Sequence, residues 1–209
     1  MLHYERQAWA AGFRNVAGMD EAGRGPLSGP VVAGAVVFDS GFLQAEENGI
    51  LAGLTDSKKL SESRREHFFA ILTANPAVKF GVGQADVAEI DTQNILNATH
   101  LAMSRALAQL DFLLDHVLVD GLPAPGLPCP STAIVGGDGL SLSIAAASII
   151  AKVTRDRIMV ELDRQYPLYG FARHKGYGTK EHLEALMQHG PSACHRRSFA
   201  PVTQMVLDL

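Results

Sequence analysis

The stretch NVAGMDEAGRGPLSGPVVAGAVVF, Asn15–Phe38, decides the fold. Its two ends, NVAGMD and VVAGAVVF, together contain five valines, and valine favours extended backbone. The segment GRGPLSGP between them holds the glycine and proline residues that are typical of a turn. The sequence therefore predicts two neighbouring strands joined by a short connection.

Helices and strands follow in alternation. Ser61 is the predicted N-cap of a helix over SESRREHFFAILTAN, which ends before Pro76. Apolar residues spaced by three or four positions predict a long helix from Asp91 to Leu113. The segment LSIAAASIIAKVTRDRIMVELDRQY predicts a second long helix with an alanine-rich first half. The predicted strands VKFGVGQ and HVLVDG lie between these helices.

This order of elements is typical of an α/β domain with a mixed β-sheet flanked by helices. The Pro- and Gly-rich segment Gly121–Gly139 is predicted to be a loop with room for one short strand, and KEHLEALMQHG to be a short helix that Thr179 caps. We expect a single domain over residues 1–209, with a core of about residues 15–165 and a helical C-terminal extension of about residues 166–209.

The composition excludes several classes of protein. Apolar residues make up 47% and charged residues 19% of the 209 residues, which fits a globular protein and not a disordered one. No apolar run approaches the roughly 18 residues that span a bilayer, and the first residues do not resemble a secretory signal. We therefore expect a cytoplasmic protein that binds no membrane, and we expect it to be a monomer.

The net charge and the cysteine content bear on nucleic-acid binding, disulfide formation and zinc binding. The formal net charge is −4, so binding of nucleic acid would have to use local basic patches. Cys129 and Cys194 are too few for a disulfide framework and lie outside any zinc-binding spacing. We expect both cysteines to be reduced.

Four acidic residues lie where the predicted elements end. Asp20 and Glu21 close the first strand, Asp120 closes HVLVD, and Asp138 lies in GGDG ahead of the alanine-rich helix. Because ligands of open α/β sheets gather at strand ends, these carboxylates are candidates for a shared cleft. The alternative for Asp120 and Asp138 is an ordinary turn or capping role beside glycine.

Convergence of Asp20 and Glu21 on one ion requires a bend in the chain. Successive strand residues point to opposite faces, so the chain has to bend directly after Asp20, and Gly23 and Gly25 are placed to permit it. Converged carboxylates would provide hard oxygen ligands, which suit Mg²⁺ or Mn²⁺ and not zinc. Two such ions could hold a phosphodiester, so the indicated chemistry is phosphoryl hydrolysis.

Long motifs in a fixed order carry a resemblance to a known family. They are GMDEAGRGPLSGPVVAGAVVF, TDSKKLSESRR, VLVDG, GDGLSLSIAAASIIAKVTRDRIM, YGFARHKGYGTKEH and GPSACHRRSF. From Asn15 to Pro201 the chain resembles bacterial ribonuclease HII, of the type 2 ribonuclease H family.

The resemblance implies a ribonuclease H-like fold, an activity and a metal site. The family hydrolyses the RNA strand of RNA/DNA hybrids and cuts on the 5′ side of single ribonucleotides in duplex DNA, as in ribonucleotide excision repair. The ends left are 3′-hydroxyl and 5′-phosphate. Carried over by position, Asp20, Glu21, Asp120 and Asp138 would bind the two catalytic ions, Mg²⁺ or Mn²⁺.

The resemblance also implies contacts to substrate. Gly23, Arg24 and Gly25 would read the 2′-hydroxyl through their backbone, and Tyr177 would pack on the sugar next to the cleavage junction. Both roles are physically reasonable, because glycine allows close approach of the backbone and the 2′-hydroxyl distinguishes RNA from DNA.

Short basic clusters could provide contacts to phosphate. The family match favours Lys58, Lys59 and Lys175 in that role, with solvated surface as the alternative. For Arg196 we expect an ion pair with a carboxylate that docks the C-terminal tail, and for His195 a position on the surface.

Two departures from the family pattern are visible. Gly136 stands where the family commonly has lysine before Gly-Asp, and Leu122 stands where it commonly has asparagine. The first departure removes a positive charge near the expected metals, while the four carboxylates are all present.

Two rival functions stay open at this point. Another two-metal nuclease or transferase with the same carboxylates would give no reason for the Gly-Arg-Gly turn or for Tyr177. A noncatalytic module that binds RNA/DNA hybrids would bind tightly and show no turnover in Mg²⁺.

Overall fold

The structure, a computed structural model, describes residues 1–207. The strands are β1 Val16–Ala22, β2 Val31–Phe38, β3 Val78–Ala85, β4 His116–Asp120 and β5 Ser131–Ile134. The helices are α1 His3–Ala10, α2 Ser40–Glu46, α3 Glu62–Ala74, α4 Val87–Ala108, α5 Leu142–Gln165, α6 Phe171–His174, α7 Lys180–His189 and α8 Val202–Leu207. Single 3₁₀ turns lie at Ser57–Lys59 and Gly137–Gly139.

The five strands form one sheet in the order β3-β2-β1-β4-β5. The pairs β1/β2 and β2/β3 are antiparallel, whereas β1/β4 and β4/β5 are parallel. The mixed sheet flanked by helices that the sequence predicts is therefore confirmed. The parallel β1/β4 pair is the one that matters for function, because it brings the carboxyl ends of these two strands together.

Helix α5 packs against one face of the sheet at very short range. A Cβ atom added to Gly18 on β1 would lie 2.1 Å from the carbonyl carbon of Ser143, and one added to Gly34 on β2 would lie 2.5 Å from the carbonyl oxygen of Ala147. Only glycine fits at these two positions. This contact fixes the start of α5, and with it the preceding turn, relative to β1.

Helix α4 covers the other face and differs from its predicted bounds. Its first turns begin upstream of Asp91 because Asp86 and Glu89 form a capping box, in which each side chain accepts a hydrogen bond from the other residue's backbone amide. A kink at Asn94 separates these turns from the rest of the helix. It ends at Ala108, so Leu113 lies outside the helix and is 87% exposed. The predicted continuation to Leu113 is therefore wrong.

The first strand also ends later than predicted. Strand β1 continues past Asp20, because Glu21 and Ala22 still pair with Ala33 and Val32 of β2. The chain therefore does not bend directly after Asp20, as convergence of Asp20 and Glu21 on one ion would require. The chain turns at Gly23, whose φ of +96° lies in the region that favours glycine.

The segments at the two ends of the chain dock on this core through polar contacts. The buried carboxylate of Glu5 on the unpredicted helix α1 accepts hydrogen bonds from the Ser141 hydroxyl and the Ser143 amide at the start of α5. The carboxylate of Asp91 accepts from the amides of Arg197 and Ser198. Within residues 1–207, none of the helices combines the length and the apolar character needed to cross a membrane.

Candidate active site

Three carboxylates meet at the carboxyl end of the parallel strand pair. Asp20 extends from β1, Asp120 ends β4, and Asp138 lies in the 3₁₀ turn before α5, and their carboxylate oxygens lie within 4.8 Å of one another. The amide of Gly137 donates a 2.7 Å hydrogen bond to Asp120 Oδ1, which holds the Asp138 turn against β4. Three of the four predicted acidic residues are thus brought into one cluster.

The cluster is electrostatically unfavourable without a cation. Asp20 is 6% exposed, and burial together with the charges of Glu21 and Asp120 raises the pKa of its carboxyl well above the usual value. Burial and the neighbouring charges of Asp120 and Asp56 also raise the pKa of Asp138. Buried carboxylates so close together favour a bound cation or a bound proton.

Glu21 lies beside this cluster and is not part of it. Its Oε1 accepts a 3.2 Å hydrogen bond from Arg24 Nη1. Burial raises the pKa of its carboxyl despite that contact. The strand continues through Glu21, and the side chain lines the same cleft as Asp20.

A cleft of about 410 Å³ adjoins the carboxylates and collects most of the predicted substrate contacts. It is lined by Asp20, Glu21, Ala22, Gly23, Arg24, Gly25, Ser57, Lys58, Lys152, Arg155 and Tyr177. The ring of Tyr177 lies beside the turn, since a Cβ added to Gly25 would lie 3.8 Å from Tyr177 Cε1. The ring is 47% exposed and therefore accessible to a ligand.

A buried arginine, for which the sequence predicts an ion pair with a carboxylate, stabilises the Gly-Arg-Gly turn. Arg196 is fully buried, and its guanidinium donates hydrogen bonds to the carbonyl oxygens of Gly23 (2.6 Å), Arg24 (2.9 Å) and Gly29 (3.0 Å). Burial lowers its pKa to about 9. The expected ion pair with a carboxylate is wrong, because backbone carbonyls take its hydrogen bonds.

Arg155 supports the rest of the same loop. Its guanidinium, 1% exposed, donates to the carbonyl oxygens of Ser28, Pro30 and Lys175 at 3.0–3.1 Å. Burial lowers its pKa to about 10. The sequence gives little signal for either arginine, because charged side chains are rarely fully buried and carbonyl partners can belong to any residue type.

The amides of the turn remain available to a ligand. In the part of the chain that the structure describes, the backbone N–H groups of Arg24 and Gly25 donate to no other protein group. The carbonyls of Gly23 and Arg24 are occupied by Arg196. A ligand in the cleft would therefore meet donors at this turn.

The three predicted lysines lie in different settings. Lys58 lines the cleft; burial lowers the pKa of its ammonium, but the surrounding aspartates outweigh that effect and raise it. Lys59 is 68% exposed, with its Nζ 3.9 Å from Asp56 Oδ2. Lys175 lies outside the cleft lining, and its Nζ donates a 2.5 Å hydrogen bond to the carbonyl oxygen of Ala172.

The structure also shows the surroundings of His195 and of Gly136 and Leu122, the two residues that depart from the family pattern. The surface position expected for His195 is wrong: the residue is 1% exposed, because the rings of Tyr169 and Phe171 pack around it. Gly136 has a φ of +68°, a conformation that glycine adopts without strain. Leu122 is 77% exposed.

Comparison with known proteins identifies the family. A family model described as "Ribonuclease HII" matches residues 17–202. The chain belongs to the ribonuclease HII family. A curated ribonuclease HII from Desulfitobacterium hafniense is 52% identical over 206 residues, which cover 99% of this chain and 76% of the relative. A ribonuclease HII from Rhodospirillum rubrum is 57% identical over 90% of this chain and 85% of its own length.

A solved structure supports the same membership. The ribonuclease H2 of Pyrococcus horikoshii OT3 is similar with a TM-score of 0.76 and 28% identity, over 93% of this chain and 98% of that chain. This member of the ribonuclease HII family is therefore a hydrolase with ribonuclease H activity and a ribonuclease H-like fold. The expected family and fold are confirmed.

Proposed function

We propose that this protein is an endoribonuclease that hydrolyses the RNA strand of RNA/DNA hybrids and cuts on the 5′ side of single ribonucleotides in duplex DNA. The products would carry 3′-hydroxyl and 5′-phosphate ends. One observation carries the proposal: Asp20, which belongs to the carboxylate cluster with Asp120 and Asp138, lines the same cleft as the Gly-Arg-Gly turn and Tyr177. Groups that suit hydrolysis and groups that suit recognition of ribose thus face one substrate.

The carboxylate cluster fits divalent cations of the Mg²⁺ or Mn²⁺ type. Each residue offers a hard carboxylate oxygen, and these oxygens lie within 4.8 Å of one another. Burial and neighbouring carboxylates raise the pKa values of Asp20 and Asp138, and a bound cation would offset that repulsion. Asp20, Asp120 and Asp138 would hold the ions, with Glu21 as the adjacent fourth ligand. When bound, two such ions would activate a water molecule and stabilise the leaving oxygen.

The turn and the tyrosine would provide selectivity for ribonucleotides. The free amides of Arg24 and Gly25 can donate to a 2′-hydroxyl, which accepts as well as donates hydrogen bonds. The exposed ring of Tyr177, next to Gly25, offers an aromatic face to the sugar that follows. A deoxyribose would lose the first of these contacts.

Local positive charge would hold the duplex backbone. Lys58 lines the cleft, Lys59 is exposed next to it, and Lys175 lies on an adjoining surface. These contacts would act independently of base sequence and would compensate for the net charge of −4.

We also propose that the protein works as a monomer in the cytoplasm, where it would remove ribonucleotides from DNA. Asp20, the Gly-Arg-Gly turn and Tyr177, which the proposed function uses, line one cleft within a single protomer. The curated relatives are bacterial, and bacterial DNA lies in the cytoplasm.

The test is a cleavage assay with three matched duplexes: all DNA, DNA with one internal ribonucleotide, and a uniform RNA/DNA hybrid. We expect cleavage of the second and third in Mg²⁺ or Mn²⁺, with one cut on the 5′ side of the ribonucleotide and a 3′-hydroxyl end. Cleavage of the all-DNA duplex would indicate a general nuclease. Binding of hybrids without any turnover would indicate a binding module.

A further inference from the structure

Two buried histidines lie in contact beneath Tyr177, outside the proposed catalytic groups. His182 on α7 and His195 are 0% and 1% exposed, and their Nε2 atoms are 3.0 Å apart. The ring of His174 stacks on that of His182 with 4.5 Å between centroids. Such a pair needs an explanation, because buried imidazoles require matched hydrogen-bond partners.

The hydrogen bonds fix where each proton lies. Two groups of Ser192 contact His195 Nδ1: the hydroxyl at 2.8 Å and the backbone amide at 3.0 Å. The hydroxyl can donate or accept, but the amide can only donate, so we infer that this nitrogen is the acceptor and carries no proton. His195 must then carry its proton on Nε2 and donate it to His182 Nε2. His182 in turn carries its proton on Nδ1 and donates it over 2.9 Å to the carbonyl oxygen of Tyr177. Three donors therefore point in one direction, from Ser192 to Tyr177.

This chain of hydrogen bonds requires two neutral rings. A second proton on either ring would place two N–H groups against each other. The titratable or charged groups around the pair are His174, Tyr169, Tyr177, Cys194, Arg196, Arg155 and Asp163. Among the described residues, no carboxylate bonds to either ring. Burial and the neighbouring imidazoles lower the pKa of His195 to about 4, and burial lowers that of His182.

The pair connects the segments that shape the substrate side of the cleft. His195 forms an isolated bridge with Ser28, in the loop that follows the Gly-Arg-Gly turn. The hydroxyl of Ser28 also lies 3.4 Å from His182 Nε2. At the other end, His182 holds the backbone of Tyr177, whose ring borders Gly25.

We propose that His182 and His195 form a neutral histidine relay that positions Tyr177 against the Gly-Arg-Gly turn, and that this relay sets the preference for a ribonucleotide junction. The inference rests on the proposed function, in which Tyr177 contacts the sugar. Both histidines are positioning residues, since they act through Tyr177 and its loop.

The first experiment measures the relay without any cleavage. In the full-length protein labelled with ¹⁵N, ring nitrogen chemical shifts report which nitrogen of each histidine is protonated. We expect the Nδ1–H form for His182 and the Nε2–H form for His195, both neutral between about pH 7.5 and 5.5. The same tautomer in both rings, or a cationic ring in that range, would overturn the relay.

The second experiment separates positioning from packing. His182→Leu removes the donor to Tyr177, whereas His182→Asn keeps a donor at the δ position. His189→Leu, on the exposed end of the same helix, is the matched control. With the single-ribonucleotide duplex we expect kcat/KM to fall about tenfold in the Leu variant, as for one lost hydrogen bond, and to recover most of that in the Asn variant.

The uniform RNA/DNA hybrid serves as the internal reference. We expect the Leu variant to lose much less on the hybrid than on the junction duplex, with the control unchanged on both. Equal losses on both substrates, or an Asn variant no better than Leu, would overturn the proposal. Absence of any cleavage by the wild-type protein would instead refute the proposed function, and the ring tautomers would still decide the relay.

Discussion

The guanidinium of Arg196 donates a 2.6 Å hydrogen bond to the carbonyl oxygen of Gly23, although 173 positions separate the two residues in the chain. The turn that borders the carboxylates is therefore shaped by a side chain of the C-terminal extension. In the proposed function, the contact to ribose therefore depends on the C-terminal extension, whereas the three clustered carboxylates lie between Asp20 and Asp138.

Arg196→Met should destabilise the protein by about 2–4 kcal/mol, because several buried carbonyls would lose their donors. Arg197→Met is the matched control, since Arg197 is exposed, and it should change stability by less than about 0.5 kcal/mol. Urea denaturation measures both. A similar effect of the two substitutions would mean that the bonds to the turn contribute little.

Asp20→Asn should abolish cleavage without destabilising the metal-free protein. The amide oxygen can still accept the 2.6 Å hydrogen bond from the Glu21 amide, while the charge that repels Asp120 is removed. We expect the melting temperature in EDTA to hold or rise. More than a tenth of the wild-type turnover would remove Asp20 from the catalytic set.

The acidic cluster should make the stabilisation of the protein by a bound metal ion depend on pH. Asp20, Glu21 and Asp138 have raised pKa values, so the folded protein binds protons more tightly than the unfolded chain. Their contribution to metal-free stability is therefore largest at low pH and is lost as pH rises through the folded pKa values. Mn²⁺ competes with these protons, so its stabilising shift of the melting temperature should grow with pH. A shift that does not change with pH would argue against binding at this cluster.

Tyr177→Ala should weaken the transition-state interaction with the junction duplex by about 1–3 kcal/mol. Tyr177→Phe keeps the ring and should retain most of the activity. Steady-state kinetics on the junction duplex and on the uniform hybrid measure the difference. If Tyr177→Ala reduces both substrates equally, the ring is a packing residue and not a junction contact.

Lys58→Ala should reduce the salt dependence of duplex binding. Loss of one phosphate contact should flatten the log–log slope by about 0.9. Lys175→Ala should have the smaller effect, because Lys175 lies outside the cleft lining and bonds to a backbone carbonyl. Binding is measured in Ca²⁺ to block catalysis. A larger change for Lys175 would place the duplex across the adjoining surface.

The acidic cluster could be predicted from the sequence because its residues lie at the ends of predicted elements. Asp20 and Asp120 each lie at the end of a predicted strand, and ligands of open α/β sheets gather at strand ends. The position of Glu21 could not be predicted from the sequence, because it depends on how far β2 continues to pair with β1. The early start of α4 had a signal in the Asp86 and Glu89 spacing.

The buried polar groups beneath the cleft could not be anticipated. Arg155 and Arg196 bond to backbone carbonyls, which any residue type provides, so the sequence contains no complementary charge to indicate them. His182 and His195 are thirteen positions apart and meet only through the fold of the extension. Composition and periodicity report which face is apolar, and these contacts lie between polar groups.

The long-range bond from Arg196 to Gly23 also orders events during synthesis of the chain. A ribosome that has reached Asp138 has already added every residue of the acidic cluster, while the guanidinium that supports the turn is still to come. The residues of the cluster and the residue that supports the turn are therefore added at different stages of synthesis. A chain that stops before Arg196 would therefore contain all three clustered carboxylates but lack the side chain that donates to the Gly23 carbonyl.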